Sequence, residues 1–347
     1  MTKTKVIYIT LTVGLVLVIL LSLGMGAMKI AVMDTVKILA KGAGLVKNVS
    51  VDNLAENVLL HVRLPRVLLG LLVGAALGIS GAAIQGIFRN PLAEPGLIGI
   101  SAGASLFAVL IIGFEAVLFV TLGNILGFYL LAFGAFAGAG LAAMLVYQFS
   151  KTDGKPNVAT MLLAGIAINA LAGALTGLVT YMADEQQLRT ITFWMLGSLG
   201  GANWNMIWWI TPFVLIPVFV LPFYGRGLNL FAIGEHQAEQ IGMNPNKIKS
   251  GVVILSTLAV GACVSVTGII GFVGLLVPHI IRLVGGVDHR LVLPASALLG
   301  ALVLTLSDML ARVLVAPVEL PIGVITALLG TPVFLYILYK DKKKILQ

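Results

Sequence analysis

The residue types that perform covalent or acid–base chemistry are few in this chain and badly spaced for cooperation. Its four histidines, His61, His236, His279 and His289, are dispersed, and its one cysteine, Cys263, lies in an apolar run. None of them forms a pair with metal-ligand spacing, and a lone cysteine excludes an internal disulfide. His279, directly after Pro278, reads as a residue hydrogen-bonded within its own helical surroundings. The sequence therefore offers no catalytic constellation and no metal centre. Gly154-Lys155 lacks both the first glycine and the following Ser or Thr of a G-x-x-x-x-G-K-[ST] phosphate loop, so any ATP hydrolysis must come from a partner.

Charged and polar residues inside apolar runs carry more information. Asp308 sits in such a run, where an acid costs roughly 2.5 to 3.5 kcal/mol on insertion scales and invites a functional reading. Arg312 follows four residues later, on the same helix face, and would neutralise it. The alternative is a proton or ion relay of a gradient-driven secondary transporter, with Asp308 and Asn169 as coupling sites. Relays carry further intramembrane acids, and no other run has one near its middle. Arg63 and Arg66 open the second run, and Arg312 closes the ninth. Guanidiniums bind carboxylates bidentately, which suits docking of an acidic partner, while snorkelling to headgroups is the plainer use. Gln85, Asn90, Ser101, Ser105, Asn169 and Thr176 interrupt glycine-rich apolar stretches. Asn169 and Thr176, seven apart, share a helix face. Such residues either line a polar pathway or bond between helices.

The elements that position them follow from composition. The chain is 59% hydrophobic and only 10% charged, with a mean hydropathy of +1.07, whereas soluble domains carry about 25% charged residues. A bilayer core about 30 Å thick takes about 20 helical residues. Apolar runs at 6–28, 65–87, 95–113, 117–148, 158–183, 205–224, 250–268, 270–285, 291–312 and 321–340 predict an all-α polytopic membrane protein of about ten transmembrane helices. We read 1–347 as a single transmembrane domain and 6–28, which is longer than a signal core, as an uncleaved first helix. Asn90-Pro91 and Glu94-Pro95 break the second and third runs apart. Non-helical backbone at membrane depth is tolerated only where protein or water covers it, so a broken helix inside a packed bundle is expected.

The net charge of +8 comes largely from basic residues beside the runs, which fits membrane orientation better than nucleic acid. With both termini in the cytoplasm most of the 22 Lys and Arg fall inside, and the cluster Lys340-Asp341-Lys342-Lys343-Lys344 is the clearest anchor. Trp194, Trp204, Trp208 and Trp209 fit an interfacial belt near the opposite end of the sixth span. The polar interruption at about 226–250 contains Gly234, Glu235, Ala238 and Gly242. Residues 235–241 suit a short helix ended by Gly242 and Asn244-Pro245, with Ala238 small enough to admit another surface.

Three motifs, in order, resemble the FecCD-type permeases of bacterial ABC importers for iron–siderophores, haem and cobalamin. The first is carried by Arg63, Pro65, Arg66, Gly81, Gln85, Asn90, Pro91, Leu92, Ala93, Pro95 and Gly99. Gly271, Phe272, Gly274, Leu275, Pro278, His279 and Arg282 carry the second, and Glu319 to Phe334 the third. The resemblance covers about residues 5 to 340 and implies a type II ABC importer permease architecture with ten spans. It supports separating the seventh and eighth runs at Gly268 to Gly271. It implies that Gly234, Glu235, Ala238 and Gly242 couple to a partner ATPase, and that Arg63, Arg66 and Arg312 dock an extracytoplasmic substrate-binding protein. The translocation pathway would involve Gln85, Asn90, Ser101, Asn169 and Thr176. The implied partners are a second permease chain, identical or related, two ATPase subunits holding ATP and Mg, and the lipid bilayer; the chain itself binds no cofactor or nucleic acid. A multi-pass place in the bacterial cytoplasmic membrane follows, with iron(III)–siderophore as the first choice of cargo.

Overall fold

The computed structural model describes residues 3–26, 28–46, 51–114, 129–152, 154–316 and 318–345. Among them, seven helices are long and apolar enough to cross a membrane, and three shorter apolar helices accompany them. Together they account for the ten expected spans. Part of the fourth run, 117–148, and Lys47 lie outside the described residues, as does the C-terminal stretch beyond 345.

In chain order the helices are α1 (Lys3–Gly24), α2 (Val32–Gly42), α3 (Asn53–Val58), α4 (Leu64–Phe88), α5 (Ile100–Gly113), α6 (Leu130–Phe149), α7 (Val158–Met182) and α8 (Glu185–Leu196). They continue as α9 (Trp204–Val220), α10 (Gly225–Ile233), α11 (Glu235–Gln240), α12 (Pro245–Thr267), α13 (Val273–Gly285), α14 (His289–Val313) and α15 (Ile322–Ile345). A two-residue antiparallel hairpin pairs Lys151 with Pro156 between α6 and α7.

The core is built round α4, which is buried along nearly its whole length. Without a solvent-driven force between helices in lipid, close backbone contact must hold them, and small residues permit it. Gly74 and Gly78 of α4 face Gly300 and Ser296 of α14 so closely that a Cβ on either would strike the opposing backbone. Gly81 meets Gly274 of α13 in the same way, and Gly103 of α5 meets Gly138 of α6.

Two interruptions shape the interior. After α4 the chain turns through Arg89, forms a 3-10 turn at Pro95–Ile98 and enters α5 past Gly99, at φ 88°. The predicted run 95–113 is therefore two elements. The second interruption, between α12 and α13, passes Gly268 at φ 72° and Phe272 at φ 67°. The described non-glycine residues at positive φ are Arg89 and Phe272, one in each break. Pro95 of the first break packs near Gly274 just beyond the second.

Sequence reading missed three shorter helices. α2 and α3 lie between the first two apolar runs, where no helix was assigned, and Asp52 caps α3 through the Leu54 amide at 3.3 Å. α8 starts with a reciprocal capping box between Asp184 and Gln187, a signal present in the sequence. The 226–250 interruption holds the short helix expected at 235–241 and is more helical than expected around it. α10 and α11 fill it, and Pro245, at the first turn of α12, begins a helix where it was read as only ending one.

Candidate functional site

The breaks border a cavity of about 820 Å³ between α5, α7 and the second interruption. Ser101, Asn169 and Thr176, three of the expected pathway residues, line it together with Ser105. The Asn169 amide donates to the Gly96 carbonyl at 3.1 Å and so fastens the 3-10 turn to the middle of α7. That turn approaches α7 closely because Gly165 leaves room for the Leu97 carbonyl. Ser105 Oγ, Asn169 Oδ1 and Thr176 Oγ1 are buried with no hydrogen-bond partner among the described residues. Buried polar atoms left in that state are costly, and these three lie just behind the accessible surface of the cavity wall. Glu94 also lines it, as the one charged side chain among the described lining residues. Sequence reading used Glu94 only as the partner of a proline. Its place at the start of the break was the available signal.

Gln85 and Asn90 do not share this cavity. Gln85, three residues before the end of α4, is buried and donates from Nε2 to the Leu275 carbonyl at 3.2 Å. Asn90 Oδ1 accepts from the Leu92 amide at 2.9 Å, which shapes the turn. Both border a separate cavity of about 490 Å³ near the end of the bundle that carries α10 and α11. The two sets of expected pathway residues are thus divided along the helix axis, because α4 runs its full length before the chain turns back.

At the opposite end, the three arginines read as docking residues are buried and bonded within the chain. Arg66 donates from Nε to Asp308 at 3.0 Å and from Nη1 to Glu319 at 2.8 Å. Arg312 donates from Nε to Asp308 at 3.1 Å and from Nη2 to Ser22 Oγ at 2.6 Å. Arg63 bonds the carbonyls of Leu23 and Gly24, at 2.7 and 3.0 Å, and that of Met28. The three guanidiniums are 5 to 7% exposed as residues, so they close the ends of α1, α4 and α14 instead of facing outward. The exposed member of the cluster is Glu319, whose side chain is 47% exposed. The pairing of Asp308 with Arg312 is the one read from their spacing.

The α10–α11 end combines a fastened face with an open one. Gly234 separates the two helices at φ 142°, a conformation that favours glycine. Glu235 pairs with Lys249, which is 1% exposed and also donates to the Pro156 carbonyl at 2.6 Å. One buried lysine thereby joins α11, the hairpin and α12. Ala238 is fully buried against the chain, so it does not provide room for another surface as the sequence reading held. Its small size serves the packing of α11 on its own protein. The open face consists of His236, Gln237, Glu239, Gln240, Gly242 and two apolar residues, Ile233 and Ile241, which are 67% and 66% exposed. Gly242 is at φ 88° with space around it.

Trp204 Nε1 donates to the Leu60 carbonyl at 3.1 Å, and Trp209 packs edge-on against Phe133 at 4.6 Å between ring centroids. Trp208, 72% exposed, is the one of the four tryptophans that most plainly presents a ring outward.

Comparison with known proteins gives a consistent set of likenesses. The profile described as the FecCD transport family matches residues 14–340. The chain is 44% identical over 298 residues to the hemin transport system permease protein HmuU of Yersinia pestis, covering 86% of this chain and 87% of that one. It is 40% identical over 284 residues to the vitamin B12 import system permease protein BtuC of Salmonella paratyphi A, covering 82% and 84%. A solved structure described as an inward-facing conformation of a metal-chelate type ABC transporter superposes with a TM-score of 0.81 at 32% identity, over 97% of this chain and 99% of the other.

Proposed function

The chain belongs to the FecCD transport family, and from that membership we propose that it is the membrane permease of a binding-protein-dependent ABC importer whose cargo is a chelated iron compound. It is an integral membrane, ABC-type permease of the type II class. Iron(III)–siderophore is the cargo we propose first. Haem is the second reading, favoured by the relative at 44% identity that is named for hemin transport.

The observation that carries the proposal is the joining of two features in one bundle. A roomy cavity with unpartnered polar atoms lies where both chain breaks meet, and a short helix flanked by exposed isoleucines stands at one end. A solute path needs the first, and attachment of an engine needs the second. Two such chains, identical or related, would enclose the path, with α7 and its exposed apolar side chains towards the partner. Two ATPase subunits holding ATP and Mg would grip the α10–α11 surface, through the segment containing Gly234, Glu235, Ala238 and Gly242. With both termini in the cytoplasm, the binding protein would dock over the opposite end, where Arg63, Arg66 and Arg312 are anchored and Glu319 is exposed. Ser101, Asn169 and Thr176 would meet the cargo first, Gln85 and Asn90 later. Each nucleotide state must favour one permease conformation over the other, since a ligand without differential affinity shifts nothing.

The test is uptake into vesicles that contain the permease with its ATPase and binding protein, using radio-iron ferric siderophores, haemin and cobalamin in parallel. The proposal expects ATP-dependent, vanadate-sensitive uptake of an iron chelate. ATP-independent uptake that collapses with the ion gradient would install the secondary-transporter reading instead, and uptake of cobalamin alone would overturn the cargo.

A further inference from the structure

We propose that the 490 Å³ cavity near α10 is a binding site for the phosphate group of an anionic phospholipid. The cavity lies between the end of α4, α13 and the start of α14, and Arg89, Arg282, His279 and His289 line it. Two guanidiniums face it and no carboxylate belongs to its described lining. Arg282 Nη2 is buried with no hydrogen-bond partner among the described residues. A charged donor enclosed in that way favours an anionic oxygen acceptor, and guanidinium geometry matches phosphate with two parallel bonds. The nearest acid in sequence, Asp288, is already bonded to the Asn229 amide at 2.6 Å and to the Arg290 backbone N–H at 2.9 Å.

The surroundings identify the source of the phosphate. Leu283 and Val287, on the cavity rim, are 54% and 74% exposed, and Val284 beside them is 52% exposed. A soluble anion would leave this apolar rim in water, whereas a phospholipid covers it with its glycerol and acyl portions while its headgroup enters. Basic pockets between transmembrane helices at the cytoplasmic side are suited to anionic headgroups, and basic residues there contribute about fivefold each in affinity. Gln85 and Asn90, placed late on the cargo path, also border this cavity, and the inference rests on reading this end of the bundle as cytoplasmic.

The experiment is lipid retention by the purified full-length permease, measured by native mass spectrometry after exchange into detergent with phosphatidylglycerol, cardiolipin or phosphatidylcholine. The variants are Arg89→Gln, Arg282→Gln, the charge-keeping Arg282→Lys and, as control, Arg290→Gln outside the cavity lining. Arg89 is exposed, so its variant leaves packing intact. The expected result is selective retention of the two anionic lipids, lowered about fivefold by Arg89→Gln and by Arg282→Gln. Arg282→Lys should recover part of the retention, Arg290→Gln should keep all of it, and inorganic phosphate should not displace the lipid. Retention unchanged in Arg89→Gln, or lowered as much by Arg290→Gln, would overturn the site. Stabilisation by inorganic phosphate equal to that by lipid would overturn the phospholipid source. Loss of ATPase binding in the cavity variants with lipid retention unchanged would assign the arginines to a protein partner.

Discussion

Arg66 and Asp308, 242 positions apart in the chain, meet in a buried pair with Arg66 Nε and Nη2 each 3.0 Å from Asp308 Oδ1. Asp308 also accepts from Arg312 at 3.1 Å, so a single carboxylate holds two buried cations where α4 begins and α14 ends. Breaking a buried pair strands the remaining charge and typically destabilises by about 3 to 5 kcal/mol. Asp308→Asn is expected to fall in that range. Glu319→Gln, whose side chain is 47% exposed, should lose less than about 1 kcal/mol. Thermal unfolding of the two variants in one detergent checks the ranking, and equal shifts would contradict burial of the cluster.

Gly81 and Gly173 make opposite predictions for the same substitution. A Cβ on Gly81 would run into the backbone carbonyl of Gly274, which cannot yield without moving α13. Gly81→Ala should therefore destabilise by about 1 to 3 kcal/mol, as overpacking does. Gly173, in α7, has open space around it, and alanine there should stabilise by about 0.4 to 1 kcal/mol through the unfolded chain. Size-exclusion profile and unfolding temperature in detergent report both.

The exposed face of α11 should separate coupling from folding. Ile241→Glu changes a residue that is 66% exposed and is expected to abolish ATP-driven uptake while expression and unfolding temperature stay near wild type. Ala238→Trp has no room, because Ala238 is fully buried, and should lower stability before it affects any partner. ATPase co-purification measured beside the unfolding temperature tells the two apart. Uptake by Ile241→Glu at the wild-type rate would remove this face from the coupling surface.

Asp288 links the same region to α14. Its carboxyl is held below the usual carboxylate range by the hydrogen bond from the Asn229 side chain first and the Arg290 amide second. The charged form is the one folding favours, so its contribution is present above the unfolded value, near pH 4, and fades as pH falls through the lowered folded value. Asp288→Ala removes the cap of α14 and should lower stability by about 1 kcal/mol at pH 7, with the difference from wild type closing in strong acid. A difference that persists unchanged at acid pH would exclude the charged carboxylate as its source.

Much of this molecule was legible because membranes impose long apolar runs that composition cannot hide. The boundaries of α4 and α7 fall within a residue or so of the runs that marked them. The break after Asn90 was legible from its prolines. The short helices α2 and α8 were not, since they lie outside the apolar runs and depend on caps that counting hydrophobic residues ignores. The arginines were found but their surroundings were not. Arg66 meets Asp308 and Glu319 across the whole chain, and no local spacing encodes that contact. Arg312 with Asp308, four apart on one helix, was readable for the opposite reason. Ala238 was misread because a small residue permits close approach from either side, and only packing decides which side uses it.

The polar wall of the large cavity gives the most direct test of transport. Thr176 Oγ1 is buried without a partner among the described residues, so removing it breaks no bond within the described fold. Replacing it with valine keeps the shape and removes that oxygen, which should leave stability equal to wild type or higher by about 1 kcal/mol. If cargo uses the hydroxyl, uptake must nevertheless fall. Asn169→Ala differs because its amide already holds the Gly96 carbonyl at 3.1 Å, and losing that bond should lower stability by about 1 kcal/mol along with uptake. Unfolding temperature and initial uptake rate, measured on both variants, separate a wall residue from a packing residue. Thr176→Val with unchanged uptake would mean that cargo does not depend on this hydroxyl, and a stability loss as large as that of Asn169→Ala would mean the hydroxyl already has a partner within the fold.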